Sequence, residues 1–301
     1  MLRSTFASRV AFAPLCAALP PRRTSLARFC SPAPAAAPSL ARPRPWTAAP
    51  PKTPSTAPTR SACSATNGAA AVAAGLPKGA QTVIDVYSWA YVNPRCVRFF
   101  DRDLCVGVIL WFYHRALQRE VFRSVARGTG RVLQANSVYG SYIPNLAAHL
   151  GPGCRALDVV DVMPIQVESV RRKLKRFPFA RAWVDDATVV RADEPYDAVV
   201  SYFLHHELPD ADKRQATDNL LGNVAPGGRA VFVEYHRMAW WHPLRVVMWA
   251  VWALLEPFAA VMQTVDSVRD WASPDVAAKF QWSKRTLFWG MYQVTTARRI
   301  D

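Results

Sequence analysis

"FLHHELPD", residues 203–210, places two imidazoles and a carboxylate side by side at His205, His206 and Glu207. Imidazole titrates near neutral pH, and an adjacent carboxylate can hold or accept its proton. The run therefore suits general acid and base work, or part of a metal site. Neighbouring residues at a helix start point about 100° apart, so both rings cannot easily serve one ion. His206 is assigned to the chemistry and His205 to packing; capping of the following helix is the competing role. Two further acids stand where apolar runs end. Asp161 closes "LDVVD", where a carboxylate commonly accepts both ribose hydroxyls of an adenosine cofactor. Asp185-Asp186-Ala187 closes "ARAWV", where a carboxylate can accept from an adenine amino group. Taken singly, each acid is equally a helix cap or a loop carboxylate; their order along the chain is what points to a cofactor.

Such residues need a frame that brings strand ends together, and the middle of the chain supplies one. Arg131–Ala135, Ala156–Val160, "ARAWVDD", "YDAVVSYFL" and "RAVFVEYH" read as strands, and Tyr142–Leu150, Ile165–Phe177 and "ADKRQATDNLLGNV" as helices. This alternation predicts an α/β fold with a doubly wound, mostly parallel Rossmann-like sheet. Ligands of such sheets bind beyond the carboxyl ends of the strands, at the point where strand order reverses. Residues 131–236 form the expected nucleotide-binding core.

The flanks differ from this core. Ten of the 37 Lys and Arg residues precede Gln81, while no Asp or Glu precedes Asp85, so the leader generates most of the net charge of +15. The remaining excess is modest and gives no reason to expect a nucleic-acid partner. Residues 1–80 hold 13 prolines and little periodicity, as a disordered transit peptide and linker would. The acid-free, Arg- and Ser-bearing start "MLRSTFASRVAFA" predicts mitochondrial import; a secretory or plastid signal is the competing reading of Val10–Leu19. Residues 81–301 are then the catalytic domain, with 81–127 expected to form N-terminal helices. Cys96, Cys105 and Cys154 form no C-x-x-C pair and indicate neither a disulfide framework nor zinc.

The apolar run Leu104–Tyr113 and the segment 238–265, with four tryptophans, are both too short in uncharged length to span a bilayer. Helices resting in the interface, or covering the sheet, are the two readings. Residues 284–299 read as a turn and a last strand, antiparallel at the sheet edge. The basic cluster Arg171–Arg176 is either an anionic-lipid contact or a solvated helix face.

The ordered series of Gly140, Asp161, Asp186 and "YDAVVSYFLHHELPD" resembles class I S-adenosylmethionine methyltransferases of the quinone-modifying kind. More specifically, "WAYVNPRCVRFFDR", "GRVLQANSVYG", "LDVVDVMPIQVESVRRKL", "FLHHELPD", "YHRMAWWHPLR" with "LEPF", and "KRTLFWGMYQ" resemble the RquA family of rhodoquinone biosynthesis. That resemblance covers nearly everything from Tyr87 to Gln293. It implies conversion of ubiquinone to rhodoquinone, with a ring methoxy replaced by an amine, S-adenosylmethionine as amino donor and manganese as a divalent metal. It further implies a peripheral enzyme on the matrix side of the mitochondrial inner membrane.

On that basis Gln134, Asn136, Tyr139, Gly140, Asp161, Val162, Met163, Asp186, Ala187 and Tyr202 are expected to hold the cofactor. His206, His205, Tyr91 and Tyr235 are the expected catalytic groups, Tyr87, Asn93, His236, Trp240 and Trp241 the substrate contacts, and Glu207 a metal ligand. Gln134, Asn136 and Val138 stand where ordinary methyltransferases carry an acid and glycines. Loss of that acid would leave the cofactor's α-amine freer to become neutral and nucleophilic. Two alternatives remain: a conventional S-adenosylmethionine-dependent quinone or lipid methyltransferase, and a non-catalytic methyltransferase-like assembly factor.

Overall fold

The computed structural model describes residues 75–301. The expected targeting segment lies in residues 1–74, outside the described residues. The first helix, α1 (Lys78–Tyr91), begins inside the 1–80 stretch expected to be unfolded.

Three more helices follow: α2 (Pro94–Phe100), α3 (Asp103–Ile109) and α4 (His114–Ser124). Asn93 starts α2 by accepting the Arg95 backbone N–H at 2.9 Å, the ordinary role of an N-cap amide. The long helix expected across Leu104–Tyr113 is broken. Trp111 and Phe112 adopt φ of 48° and 62°, a left-handed turn uncommon for bulky residues. It persists because both sides are packed: Trp111 Nε1 donates to Met248 Sδ at 3.3 Å, and the Tyr113 ring stacks on Phe288 at 4.2 Å.

The core then alternates β1 (Arg131–Gln134), α5 (Tyr142–Leu150), β2 (Ala156–Asp161), α6 (Pro164–Leu174), β3 (Ala180–Val184), β4 (Tyr196–Tyr202), α7 (Asp210–Gly222) and β5 (Val224–Tyr235). A short 3₁₀ turn, His205–Glu207, separates β4 from α7. After β5 come α8 (Arg245–Leu255), the short α9 (Pro274–Ala277), β6 (Phe280–Leu287) and β7 (Tyr292–Arg299). Strand order is β3-β2-β1-β4-β5-β7-β6. The β1–β5 pairings are parallel and β7 runs antiparallel to both neighbours. One reversed strand inserted beside β5 is the arrangement of the class I methyltransferase fold, and the chain has that Rossmann-like fold.

Two C-terminal expectations need correction. The last strand is not at the edge: β6 takes the edge and β7 pairs β5 from Arg229↔Arg298 to Tyr235↔Tyr292. β6 escaped notice because its side chains are largely exposed and polar, while β7 is the buried one. The tryptophan-rich segment is also not one helix. Pro243 and Pro257 confine α8 to eleven residues, since proline lacks the N–H a helix interior needs.

A buried carboxylate inside the sheet is engaged at both oxygens. Asp158 on β2 accepts from Arg181 Nε at 2.6 Å and Nη2 at 3.1 Å, and from the Tyr196 hydroxyl at 2.9 Å. This ties β2, β3 and β4 together beneath the strand ends.

Candidate active site

Between the carboxyl ends of β1 and β4, where strand order reverses, the structure opens a cavity of about 570 Å³. Its floor is the turn after β1, with Asp161, Asp186 and Tyr202 at the neighbouring strand ends. Tyr87 and Tyr91 of α1 cover one side. Apolar residues of α3 and of α8, among them Ile109, Met248, Val251 and Leu255, carry the wall outward.

At the floor, Asp161 accepts the Ser137 N–H at 2.9 Å through one oxygen and the Met163 N–H at 2.8 Å through the other. It therefore fixes the turns after β1 and β2 at once. Asp186 accepts the Gly79 N–H at 2.9 Å, and the Thr188 N–H and hydroxyl at 2.9 and 2.7 Å. The start of α1 is thus fastened onto the site; a Cβ at Gly79 would lie 2.8 Å from Asp186 Oδ2, so a larger residue there would displace the carboxylate. A carboxylate offers about four lone-pair sites, so both acids keep capacity for ligand hydroxyl or amino groups.

Sequence reasoning misplaced Gln134. Its side chain is fully buried and does not line the cavity. Nε2 donates to Asn136 O at 3.2 Å and to Asn136 Oδ1 at 3.1 Å, and Oε1 accepts the Tyr142 hydroxyl at 3.2 Å. Asn136 in turn bridges to β4, donating to Tyr202 O at 2.8 Å and accepting the Tyr202 N–H at 3.2 Å. Gln134 thus positions Asn136, and Asn136 spans the gap between β1 and β4. Gly140 also lies off the cavity. It turns at φ +73° with its N–H on Asp101, and a Cβ would sit 2.6 Å from Asp103 Oδ1. Of the other residues expected to hold the cofactor, Asn136, Tyr139, Val162, Met163 and Ala187 line the cavity.

Above the floor lies a chain of titratable groups. The Tyr91 hydroxyl donates to Glu207 in a short hydrogen bond. Glu207 Oε1 is 3.9 Å from His206 Nε2, and His206 Nδ1 is 3.1 Å from Glu234 Oε2. Burial opposes a charged His206 ring, but the Glu234 carboxylate outweighs it and raises the ring to about 9. Burial pushes Glu207 up to about 7, against the pull of His206 and Tyr91. Burial and Glu207 hold the Tyr91 hydroxyl well above its ordinary range, so it remains a donor. A carboxyl poised near neutrality in a cavity is suited to taking or giving a proton.

His205 serves elsewhere. Its Nε2 meets Thr217 Oγ1 at 2.9 Å, and burial lowers it to about 4, which leaves a neutral packed ring. Tyr87 and Tyr235 reach the cavity. Asn93 is occupied as a helix cap. His236 faces away, with Nδ1 3.1 Å from Gly290 O, and Trp240 and Trp241 stand exposed on the outer surface. Sequence reasoning missed Glu234. It is fully buried and accepts the His205 N–H at 2.6 Å as well as bonding His206. The signal was present: a lone acid within the apolar strand run "AVFVEY".

Among the described residues, no three His, Cys, Asp or Glu side chains are grouped to hold a metal ion. Glu207 and His206 are engaged by Tyr91 and Glu234. This donor set does not fit manganese, and no step is assigned to a metal.

No family model matches the chain. It is 33% identical over 112 residues to nodulation protein S of Rhizobium tropici, covering 36% of this chain and 45% of that protein. The corresponding protein of Rhizobium fredii is 28% identical over 103 residues, covering 33% and 59%. The chain thus spans about half the length of the curated relatives it matches. Among solved structures, the N-methyltransferase NodS from Bradyrhizobium japonicum WM9 is similar at 17% identity and a TM-score of 0.47, covering 63% of this chain and 97% of that one. A TehB-like SAM-dependent methyltransferase from Corynebacterium glutamicum is similar at 16% identity and a TM-score of 0.45, covering 69% and 100%.

Proposed function

We propose that the chain is an S-adenosylmethionine-dependent transferase that modifies the ring of a lipid-soluble quinone, ubiquinone, at a membrane surface. One observation carries the reading: a single cavity joins the strand-end acids Asp161 and Asp186 to an apolar outer wall, passing the Tyr91, Glu207 and His206 groups on the way. The residues fit the cofactor. One buried hydroxyl of a floor residue, Tyr202 Oη, has no partner among the described residues. Asp161 would hold the ribose, Asp186 with Ala187 the adenine, and Asn136 with Tyr139 the remainder. When bound, S-adenosylmethionine supplies a transferable sulfonium methyl or an α-amine. Glu207 would take the proton lost by the attacking amine nitrogen and return it to the departing methoxide as methanol, or, in methyl transfer, take the proton of a quinol hydroxyl, with His206 and Glu234 balancing its charge.

Transfer of the methyl is the chemistry that the likeness to nodulation protein S supports. Transfer of the amine in place of a ring methoxy, as the RquA resemblance implies, is favoured by a different observation: the turn after β1 presents an amide, Asn136, to the cavity and carries no carboxylate of its own to hold an ammonium charged. Quinone-dependent consumption of S-adenosylmethionine by the protein on liposomes tests the shared reading. Consumption unaffected by quinone counts against it.

The rim of the cavity suits a bilayer. Trp240 is 83% exposed, Val246 81%, Trp249 69% and Phe112 66%. The turn between β6 and β7 raises Phe288 and Trp289 in left-handed conformations where Asn and Gly are usual. Met248 and Trp252 on the opposite side of α8 are buried. Among the described residues no helix is long and apolar enough to cross a membrane. These exposed side chains support peripheral seating, on the matrix side of the mitochondrial inner membrane if the leader directs import. The double substitution Val246→Glu, Trp249→Glu is expected to weaken liposome binding by about tenfold or more. S-adenosylhomocysteine affinity should stay unchanged, since neither residue lines the cavity. Equal co-sedimentation of variant and parent would remove α8 from the membrane contact.

A further inference from the structure

Glu256 sits at the end of α8, turned out of the helix at φ −134° just ahead of Pro257. That turn carries its carboxyl into the cavity, which it lines beside Tyr87, Glu207, His206 and Tyr235. Its Oε2 is buried and has no hydrogen-bond partner among the described residues; the Tyr87 hydroxyl, on the facing helix α1, is buried and unpartnered in the same way. A buried polar atom without a partner costs stability and is rare in folded proteins. Two of them, from separate elements and lining one cavity, mark where a ligand's polar atoms belong.

Resting on the quinone reading above, we propose that Glu256 is a substrate-anchoring residue: with Tyr87 it donates a hydrogen bond to a ring carbonyl oxygen of the quinone. Glu256 rides on the segment that presents Trp249 and Val246 to the membrane, so the lipid-facing element also completes the ring site. Burial raises the Glu256 carboxyl; His206 opposes this, Glu234 adds to it, and a hydrogen bond from the Tyr235 hydroxyl to the same carboxyl lowers it, leaving Oε2 as the unpartnered oxygen. Burial, with Glu207, Glu256 and Glu234, likewise keeps the Tyr87 hydroxyl protonated. Tyr87 is therefore a donor and Glu256 donates once protonated, so their complement is an acceptor oxygen rather than an amine or ammonium. Tyr91, by contrast, is committed to Glu207.

The test compares the full chain with Glu256→Leu and Glu256→Gln in detergent, reading three quantities: affinity for a short-tailed ubiquinone by tryptophan quenching, affinity for S-adenosylhomocysteine by calorimetry, and the melting temperature. Glu256→Leu is expected to weaken quinone binding about tenfold or more, because the carbonyl is left unpaired in an apolar site. Glu256→Gln keeps a donor and should stay within about threefold of the parent. S-adenosylhomocysteine affinity should not change in either. Glu256→Leu should also melt no lower than the parent, since it removes an unpartnered buried polar atom, which a merely structural role would not allow. Parent-like quinone affinity in Glu256→Leu overturns the anchor alone. So does a drop in melting temperature together with loss of S-adenosylhomocysteine binding. Failure of the parent to bind quinone overturns the functional reading, and the anchor with it.

Discussion

Replacing Asp161 by alanine is expected to raise the dissociation constant for S-adenosylhomocysteine by about 100-fold or more. Two charge-assisted hydrogen bonds are lost at once, those from Ser137 and Met163, and each such bond is worth about 1.5–3 kcal/mol. Both backbone N–H groups lose their partner, and the turns after β1 and β2 lose their common anchor. The floor therefore loosens in the same step that removes the ribose acceptor. Asp161→Asn should fall between parent and alanine, because the amide can accept at only one oxygen. Calorimetric titration reads the effect directly, and a change smaller than about fivefold would show that Asp161 serves the fold and not the cofactor.

Glu234→Gln should cost about 3 kcal/mol of stability, the usual penalty for removing one partner of a buried pair. It should also change how stability varies with pH. His206 titrates near 9 in the folded protein against an ordinary 6.5, so its contribution is complete below about 6.5 and is lost as pH rises through about 9. Glu207 acts in the same direction. Raised by burial to about 7, its carboxyl favours the fold while neutral, and that contribution fades as pH climbs from about 4.5 through 7. Burial alone would raise Glu234, but His206 brings it below its ordinary value, so its contribution is present above about 4.5 and is lost on acidification. The parent should therefore lose melting temperature between about pH 6 and 9. In Glu234→Gln the loss through the upper part of that range should vanish, because His206 no longer has a carboxylate to hold its proton. Parallel pH profiles for parent and variant would mean that the pair carries no charge in the folded protein.

The parallel core was legible because its strands are nearly continuous apolar runs and β1, β2 and β4 are each followed by a helix. Asp161 and Asp186 could be found for the same reason: position at a strand end determines proximity to the crevice whatever the details of packing. Where the reading failed, the deciding contacts were made between distant segments. Nothing local shows that β7 inserts between β5 and β6, since strand order is settled by which face each strand must bury. Gln134 was expected to touch the cofactor, yet its amide turns inward to Asn136 and Tyr142, a choice made by hydrogen bonding around the turn. Glu256 ends α8, and the chain turns there, ahead of Pro257, in a way that no local pattern shows. Glu234 was the one omission with a local signature, because an acid inside a buried strand must have a buried partner.

The central claim is that S-adenosylmethionine gives a group to a membrane-dissolved quinone in this cavity. The most direct measurement supplies the protein, on liposomes containing a short-tailed ubiquinone, with cofactor labelled by carbon-13 at the sulfonium methyl and nitrogen-15 at the α-amine, and reads the mass of the recovered quinone. Label in the quinone is the expected result; nitrogen-15 with loss of a methoxy identifies amine transfer, and carbon-13 identifies methyl transfer. A quinone recovered without either label, from protein that binds S-adenosylhomocysteine tightly, would contradict the claim.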